Sequence, residues 1–516
     1  MSMLGDDAAR RLLNRAAYGP RPADLPATAR LPLRDWIDAQ LSLPAASTAI
    51  DTALAALTLP IRYAAGPGEQ MVDEHRPLQA LAMRPDQRWA LSDNRRPIAW
   101  PERDRPRLEL AAATLLRKVL APDQLRERVV EFWHDHFNVA AQASGQVAVC
   151  LPDHDTRIRT HAFGNFAALL EAVASSPAML AYLNNNVSRA GAPNENFARE
   201  LLELHTLGAS AYQPGARSWR DVPGATDGTP AGYFDGDVWE AARAFTGWTI
   251  AAGQRIDGAR TLPTAGEFAY VERWHDGYQK RVLGQELPPF APAQADGRRV
   301  IALAATHPAT ARHIAAKLAR FFLGDRAPPA AAARAEAAFL RHRESSDQIA
   351  HTLRALLDGP EATDPTLGRV RRPLDAAAAA ARALAIPIAP QAPLLAEMGR
   401  AGQVLFGWPS PDGQPLDGAH YLGGGALRAR WTMLLGVAQN WWGTGASPLP
   451  EALAGRPVAE AAREVAQALL GAAAGPVGQR LVAAWQADRR PDRLRNRQDG
   501  AALLGIALLA PGFQTT

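Results

Sequence analysis

Apolar residues recur every three to four positions along most of the 516-residue chain, the spacing of helices with one face turned inward. The opening stretch DDAARRLLNRAAYG has acidic residues at its start and Gly19 after its last apolar position, a start and a stop signal. The same period predicts helices near 33–41, 46–58, 106–120, 122–138, 165–175, 195–207, 235–247, 308–323 and 328–342. It continues near 347–358, 372–385, 424–440, 457–471, 476–488 and 496–510. Period-two alternation is scarce. WTIAAG at 248–253 and GEFAYVERW at 266–274 predict one small hairpin. Four stretches rich in Gly and Pro have no period and read as loops: 58–104, 209–234, 284–297 and 402–424. The pattern predicts a mainly α fold, a large multi-helix single unit with long loops and at most a small β-hairpin. Residues 1–360 would form a helical core domain and 361–516 a C-terminal helical lobe packed on it.

Composition narrows the function classes. At 47% hydrophobic the chain can bury a large core, and it has no extended charge block. Of its 56 basic residues only Lys118, Lys280 and Lys317 are lysines. The arginines are interspersed with acids and the net charge is only +4, which argues against a phosphate-tracking surface and hence against nucleic acid. Cys150 is the single cysteine, so neither an internal disulfide nor a thiolate zinc site can form. The N-terminal stretch has no apolar run of the kind an export signal needs. The apolar stretch AALLGIALLAPGF is too short to span a bilayer. The expected setting is cytoplasmic as the sequence stands, or periplasmic if an export signal has been removed. P-loop, GxSxG, HExxH, EF-hand and dinucleotide motifs are all missing, which disfavours nucleotide-driven chemistry and a standard serine hydrolase.

The candidate chemistry concentrates in two stretches. In FWHDHFNV (132–139), stepping 100° per residue from Leu125 puts Val129, Trp133 and Phe137 on one apolar arc, with His136 at about 20° inside it. His134 falls at about 180° and Asp135 at about 280°, outside the arc. In PNENFARELLELHTLG (193–208), Phe197, Ala198, Leu201 and Leu202 form the apolar face and His205 lies in its middle. Arg199, Glu200 and Glu203 take the opposite side, where Arg199 can pair with Glu203 at i+4. Gly208 reads as the stop. A buried imidazole without a partner costs a few kcal/mol, so each inward histidine needs a hydrogen bond or a function. A third stretch, ERWHDGYQKRVLG, places His275 and Asp276 at the end of a possible strand.

These pieces resemble the bacterial family catalogued as domain of unknown function 1800. The resemblance is carried by LLNRAAYGPRPADL (12–25), FWHDHFNV, HAFGNFAALLEAVASSPAMLAYLNNN (161–186), PNENFARELLELHTLG, WEAARAFTGWTI (239–250), HDGYQKRVLG (275–284), THPATARHIAAKLARFF (306–322) and LLAPGFQ (508–514). The last piece departs from the family's Ser-Pro-Glu-Phe-Gln, reading Ala-Pro-Gly-Phe-Gln at 510–514. The resemblance carries over no activity. Members of the family are often encoded beside an alkaline-phosphatase-like protein. The resemblance therefore implies such a protein as a partner, and an anionic or carbohydrate substrate.

The residues give two expectations. In the first the protein is a hydrolase with His136 or His205 as general base, Glu200 or Glu203 as acid or partner, and Arg199 as an anion clamp. Asn194, Glu195 and Asn196, with Trp133, would contact the substrate, and His134, His275 and Asp276 would hold a divalent metal ion. In the second it is a non-catalytic scaffold or maturation partner of the phosphatase-like protein, and the same motifs are structural.

Overall fold

Helical periodicity sets most of the architecture of the computed structural model, which describes residues 3–44, 47–64, 71–443, 445–471 and 474–516. The fold is mainly α. The helix Pro308–Leu323 shows how local sequence does this. Its N-cap His307 accepts from the Ala309 N–H, Pro308 sits in the first turn, and Gly324 at φ 91° ends it. Between those signals Ile314, Leu318, Phe321 and Phe322 fall on the buried face, each worth about 1.5–3 kcal/mol of burial.

Among the described residues the β structure is three two-stranded antiparallel hairpins where the sequence pattern predicts one. The expected pair is present, Trp248–Ala252 against Thr264–Tyr270. A second hairpin, Thr58–Ala64 against Met71–Pro77, lies within the stretch read as a loop. Only Leu59 and Ile61 of its first strand are buried, too short an alternation to stand out. The third, Lys280–Val282 with Gln285–Leu287, turns through Leu283 and Gly284, both at positive φ as a type I′ turn requires.

Several helices escape the sequence reading, most of them short, and the two longest do so for physical reasons. Gly145–His161 is capped by Ser144, but it opens on β-branched residues, contains Pro152 and turns polar after it. Ala295–Thr306 begins inside the Pro-rich stretch that reads as a loop.

Among the described residues two large hydrophobic cores are present, beside a small cluster of Val222, Ala225 and Phe234. One gathers residues from Leu12 to Ala362. The other gathers residues from Leu374 to Phe513, together with Tyr18, Leu57, Leu59 and one face of the helix Arg105–Leu120. That helix serves both cores: Leu110 faces the first, and Leu115, Leu116 and Val119 the second.

Buried charge stitches the seam between them. Glu131, on the helix Gln124–His136, accepts from Lys118, Tyr18 and Arg372. Arg372 also bonds Asp135 at 2.6 Å, and Arg128 reaches Asp375 at 2.7 Å. The final residues pack onto the second core. Arg371 donates to the Phe513 carbonyl at 2.9 Å, Arg430 donates to the Gln514 side chain, and Thr515 bridges to Val370. The Phe-Gln pair of the terminal motif is thus used in docking. Position 512, where the family has Glu, is an exposed Gly.

Candidate functional site

The site is built on the irregular end of the segment Glu195–His205. Asn194 caps the start, accepting from the Asn196 N–H at 3.0 Å. An α-helix runs from Glu195 to Glu200, then widens into a π-turn over Leu201–His205. A π-turn breaks the i to i−4 ladder and frees carbonyls. Thr206 Oγ1 takes the Leu201 carbonyl at 2.6 Å. His313 Nε2 donates to the Leu204 carbonyl at 3.1 Å, and His136 Nε2 donates to the His205 carbonyl at 3.0 Å. Gly208, at φ 91°, lies so close that a Cβ there would sit 2.8 Å from His313 Nδ1.

His136, His205 and His313 therefore cluster, with ring centroids 6.0 Å apart for His136–His205 and 6.1 Å for His136–His313. A carbonyl can only accept, so Nε2 of His136 carries the hydrogen and Nδ1 is bare. That Nδ1, like Nε2 of His205, is buried with no hydrogen-bond partner among the described residues. Burial keeps all three rings neutral, helped by the nearby Lys317 charge. It pushes His136 well below the usual range, His205 to about 3 and His313 to about 4.

Lys317 and the 402–424 stretch complete the site. Tyr182 donates to the Pro409 carbonyl at 2.6 Å, and Asn138 donates to the carbonyls of Trp408 and Ser410 at 3.0 and 2.7 Å. Gly413, at φ 86°, presses onto the backbone of Asp135, where a Cβ would come within 1.9 Å of the carbonyl oxygen. Beneath this loop lies a cavity of about 260 Å³ whose wall includes Asp135, His136, Lys317, Arg320 and Asp412. Burial lowers the Lys317 ammonium to about 8, against the opposing pull of Asp135 and Asp412. Burial raises the Asp135 carboxyl even though Arg372 binds it.

Sequence reasoning passed over Lys317, Asp412, His313, Glu131 and Arg372. The scarcity of lysine was a usable signal. In a chain that writes nearly every cation as arginine, Lys118 is bound to Glu131, Lys280 to Asp296, and Lys317 lines the cavity.

The other predicted residues lie as follows. Trp133 is in the core, its indole N–H given to the Ala162 carbonyl at 3.1 Å, away from the cavity wall. Arg199 pairs with Glu195 at 3.4 Å and Asp235 at 3.3 Å, not with Glu203, because the π-turn takes Glu203 out of the expected register. Glu200 is partly buried. Burial raises its carboxyl, with Glu203 and Asp412 adding to the effect. Asn196 reaches the Leu183 carbonyl at 3.4 Å.

His134, His275 and Asp276 are not brought together. His134 bonds Asp155 at 2.9 Å, His275 lies 3.2 Å from Asp296, and Asp276 is clamped by Arg243 at 2.8 Å. Among the described residues no three His, Cys, Asp or Glu side chains are grouped to hold a metal ion. Among the same residues no helix is long and apolar enough to cross a membrane.

No curated protein and no solved structure matches the chain. The sequence profile of the family described as protein of unknown function (DUF1800) matches residues 11–515, nearly the whole length, and the chain belongs to that family.

Proposed function

We propose that the protein is a hydrolase acting on an anionic or carbohydrate substrate held beneath the 402–424 loop. One observation supports this above the others: Asp135, His136, Lys317 and Asp412, four groups able to carry or move protons, line one cavity. Lys317, lowered to about 8, is still mostly an ammonium at neutral pH. It can attract an anionic group and give a proton to a leaving group. His136 is neutral, and its unshared Nδ1 is free to accept a hydrogen bond that orients a water or a substrate hydroxyl entering the cavity. The test is turnover of a panel of phosphate and sulfate monoesters and of acidic and neutral oligosaccharides. Turnover should show an alkaline limb near pH 8 and should fall at least about a hundredfold in His136→Gln and in Lys317→Met. Rates unchanged in both variants, or no turnover anywhere in the panel, would remove this reading.

A second reading is favoured by a different observation. Tyr278 and Phe290, 69% and 77% exposed, pair with centroids 5.8 Å apart on the surface beside Gly277, and Phe290 holds a positive φ of 56°. An exposed aromatic pair on strained backbone suits a contact with another protein, here the alkaline-phosphatase-like partner. Co-purification of the two proteins, lost in Phe290→Ser, tests it. A cytoplasmic setting suits the single buried thiol of Cys150, and cell fractionation separates it from a periplasmic one.

A further inference from the structure

Another cavity, of about 260 Å³, shares no residue with the central one. Four elements enclose it: the short helix Pro85–Trp89, the helix Gly145–His161, the start of the helix Pro177–Tyr182 and the strand Thr264–Tyr270. Val149, Asp153 and Arg157 follow one another at i+4 on one face of the long helix and make one wall. The strand makes another. At Gly266, φ 68°, it lies so near Trp89 that a Cβ would come within 2.8 Å of that side chain. Val149, Pro177 and Phe268 give the lining its apolar part.

The charges around this cavity are unevenly engaged. Arg157 is fully used within the fold, bonding Asp153 at 2.7 Å, the Ala172 carbonyl at 3.0 Å and Ser175 Oγ at 3.1 Å. Arg88 is buried and donates only to two main-chain carbonyls, Val149 from Nε at 3.2 Å and Met83 from Nη1. Its Nη2 has no partner, and the guanidinium makes no ion pair among the described residues. Asp153 is close enough to favour the Arg88 charge, but its Oδ2 is taken by Arg157 and only Oδ1 is open. Glu267 stands on the exposed side of the cavity with neither a hydrogen bond nor an ion pair among the described residues.

Two guanidiniums and two carboxylates thus balance around one small space. A ligand with negative charge alone would meet Asp153 and Glu267, and one with positive charge alone would meet Arg88 and Arg157. A ligand that carries both charges and is neutral overall satisfies the open group at each end. We propose that this cavity binds a free α-amino acid with an apolar side chain. Its carboxylate accepts from Nη2 of Arg88, its ammonium donates to Asp153 Oδ1 and Glu267, and its side chain lies against Phe268 and Pro177. Such a site works whether or not the central cavity is catalytic.

The experiment is calorimetric titration of the full chain with L-leucine, L-methionine and L-phenylalanine. Each is run beside its deaminated acid and its amide, which lack one of the two charges. At least one amino acid should bind with a Kd of about 1 mM or tighter, and its two analogues should bind about tenfold more weakly or worse. Glu267→Gln should weaken that amino acid about fivefold or more. Its side chain is exposed and unpaired, so thermal unfolding of the free protein should not change. Arg88→Met should abolish binding; where loss of its two carbonyl bonds unfolds the chain, Glu267→Gln decides alone. No binding of any of the three amino acids, a deaminated acid that binds as well as its parent, or full affinity in Glu267→Gln would each overturn the proposal.

Discussion

His136 hands its Nε2 hydrogen to the backbone carbonyl of His205, 69 residues further along the chain and 3.0 Å away. One motif thereby caps the frayed end of the other, and both imidazoles are held neutral in the interior.

That arrangement predicts how stability responds to acid. His136, His154, His205 and His313 all have folded-state values lowered chiefly by burial, to about 3 for His154 and His205 and about 4 for His313. In the unfolded chain an imidazole titrates near 6.5, so below that pH the unfolded state binds more protons. Stability should be complete above about pH 6.5 and fall as the pH drops, by about 1.4 kcal/mol per pH unit for each histidine. Glu131 is held down to about 2, chiefly by Lys118 and Arg372 against its burial, so its contribution is lost only between about pH 4.3 and 2. Urea denaturation at pH 7.5, 6.5 and 5.5 lies above the Glu131 window, and Asp237, pushed up to about 6 by burial, opposes the four histidines only in part. His205→Gln should flatten the slope, and a flat profile above pH 5 would contradict the burial of these rings.

Lys317 should be the reactive lysine of the chain. Its amine, lowered to about 8, is partly unprotonated at pH 8, while Lys118 and Lys280 are buried in ion pairs. Brief treatment with a limiting acylating reagent, followed by peptide mass spectrometry, should find Lys317 as the main modified side chain. Preferential labelling of Lys118 or Lys280 would count against this environment.

The seam charges should be strongly interdependent. Glu131→Gln or Arg372→Met each strands a buried partner, at a cost of about 3–5 kcal/mol. Removing both should cost clearly less than the sum, because the second change removes the group left uncompensated by the first. Chemical denaturation of the two single variants and the double variant measures the coupling. Simple additivity would mean that the two do not interact.

Gly208 should tolerate no side chain. Alanine there meets both the positive φ and the His313 ring, and should cost about 1–3 kcal/mol. A thermal melt of Gly208→Ala checks this, and wild-type stability would show that the ring and the turn yield.

Much of this was legible in the residues. The inward positions of His136 and His205 followed from counting apolar neighbours, because burial of a helix face is a local, periodic signal. The pairing of Arg199 was misjudged because a π-turn shifts every later residue and leaves no mark in the hydrophobic pattern. Asp412 and Arg372 could not be seen to matter, since only tertiary folding carries them across more than 200 residues to Asp135 and Glu131. The scarcity of lysine held an unused pointer to Lys317, a clue independent of periodicity.

The wide separation between Glu131 and Arg372, 241 residues, bears on how the chain is made. During synthesis the first core can condense while Asp135 still awaits its guanidinium and Glu131 holds only Lys118 and Tyr18. A nascent half-protein in that condition carries one buried acid without its cation, and arrival of the second core both supplies the guanidinium and closes the roof over the cavity. Assembly of the ribosome-bound chain and completion of its central chamber would then be a single late event.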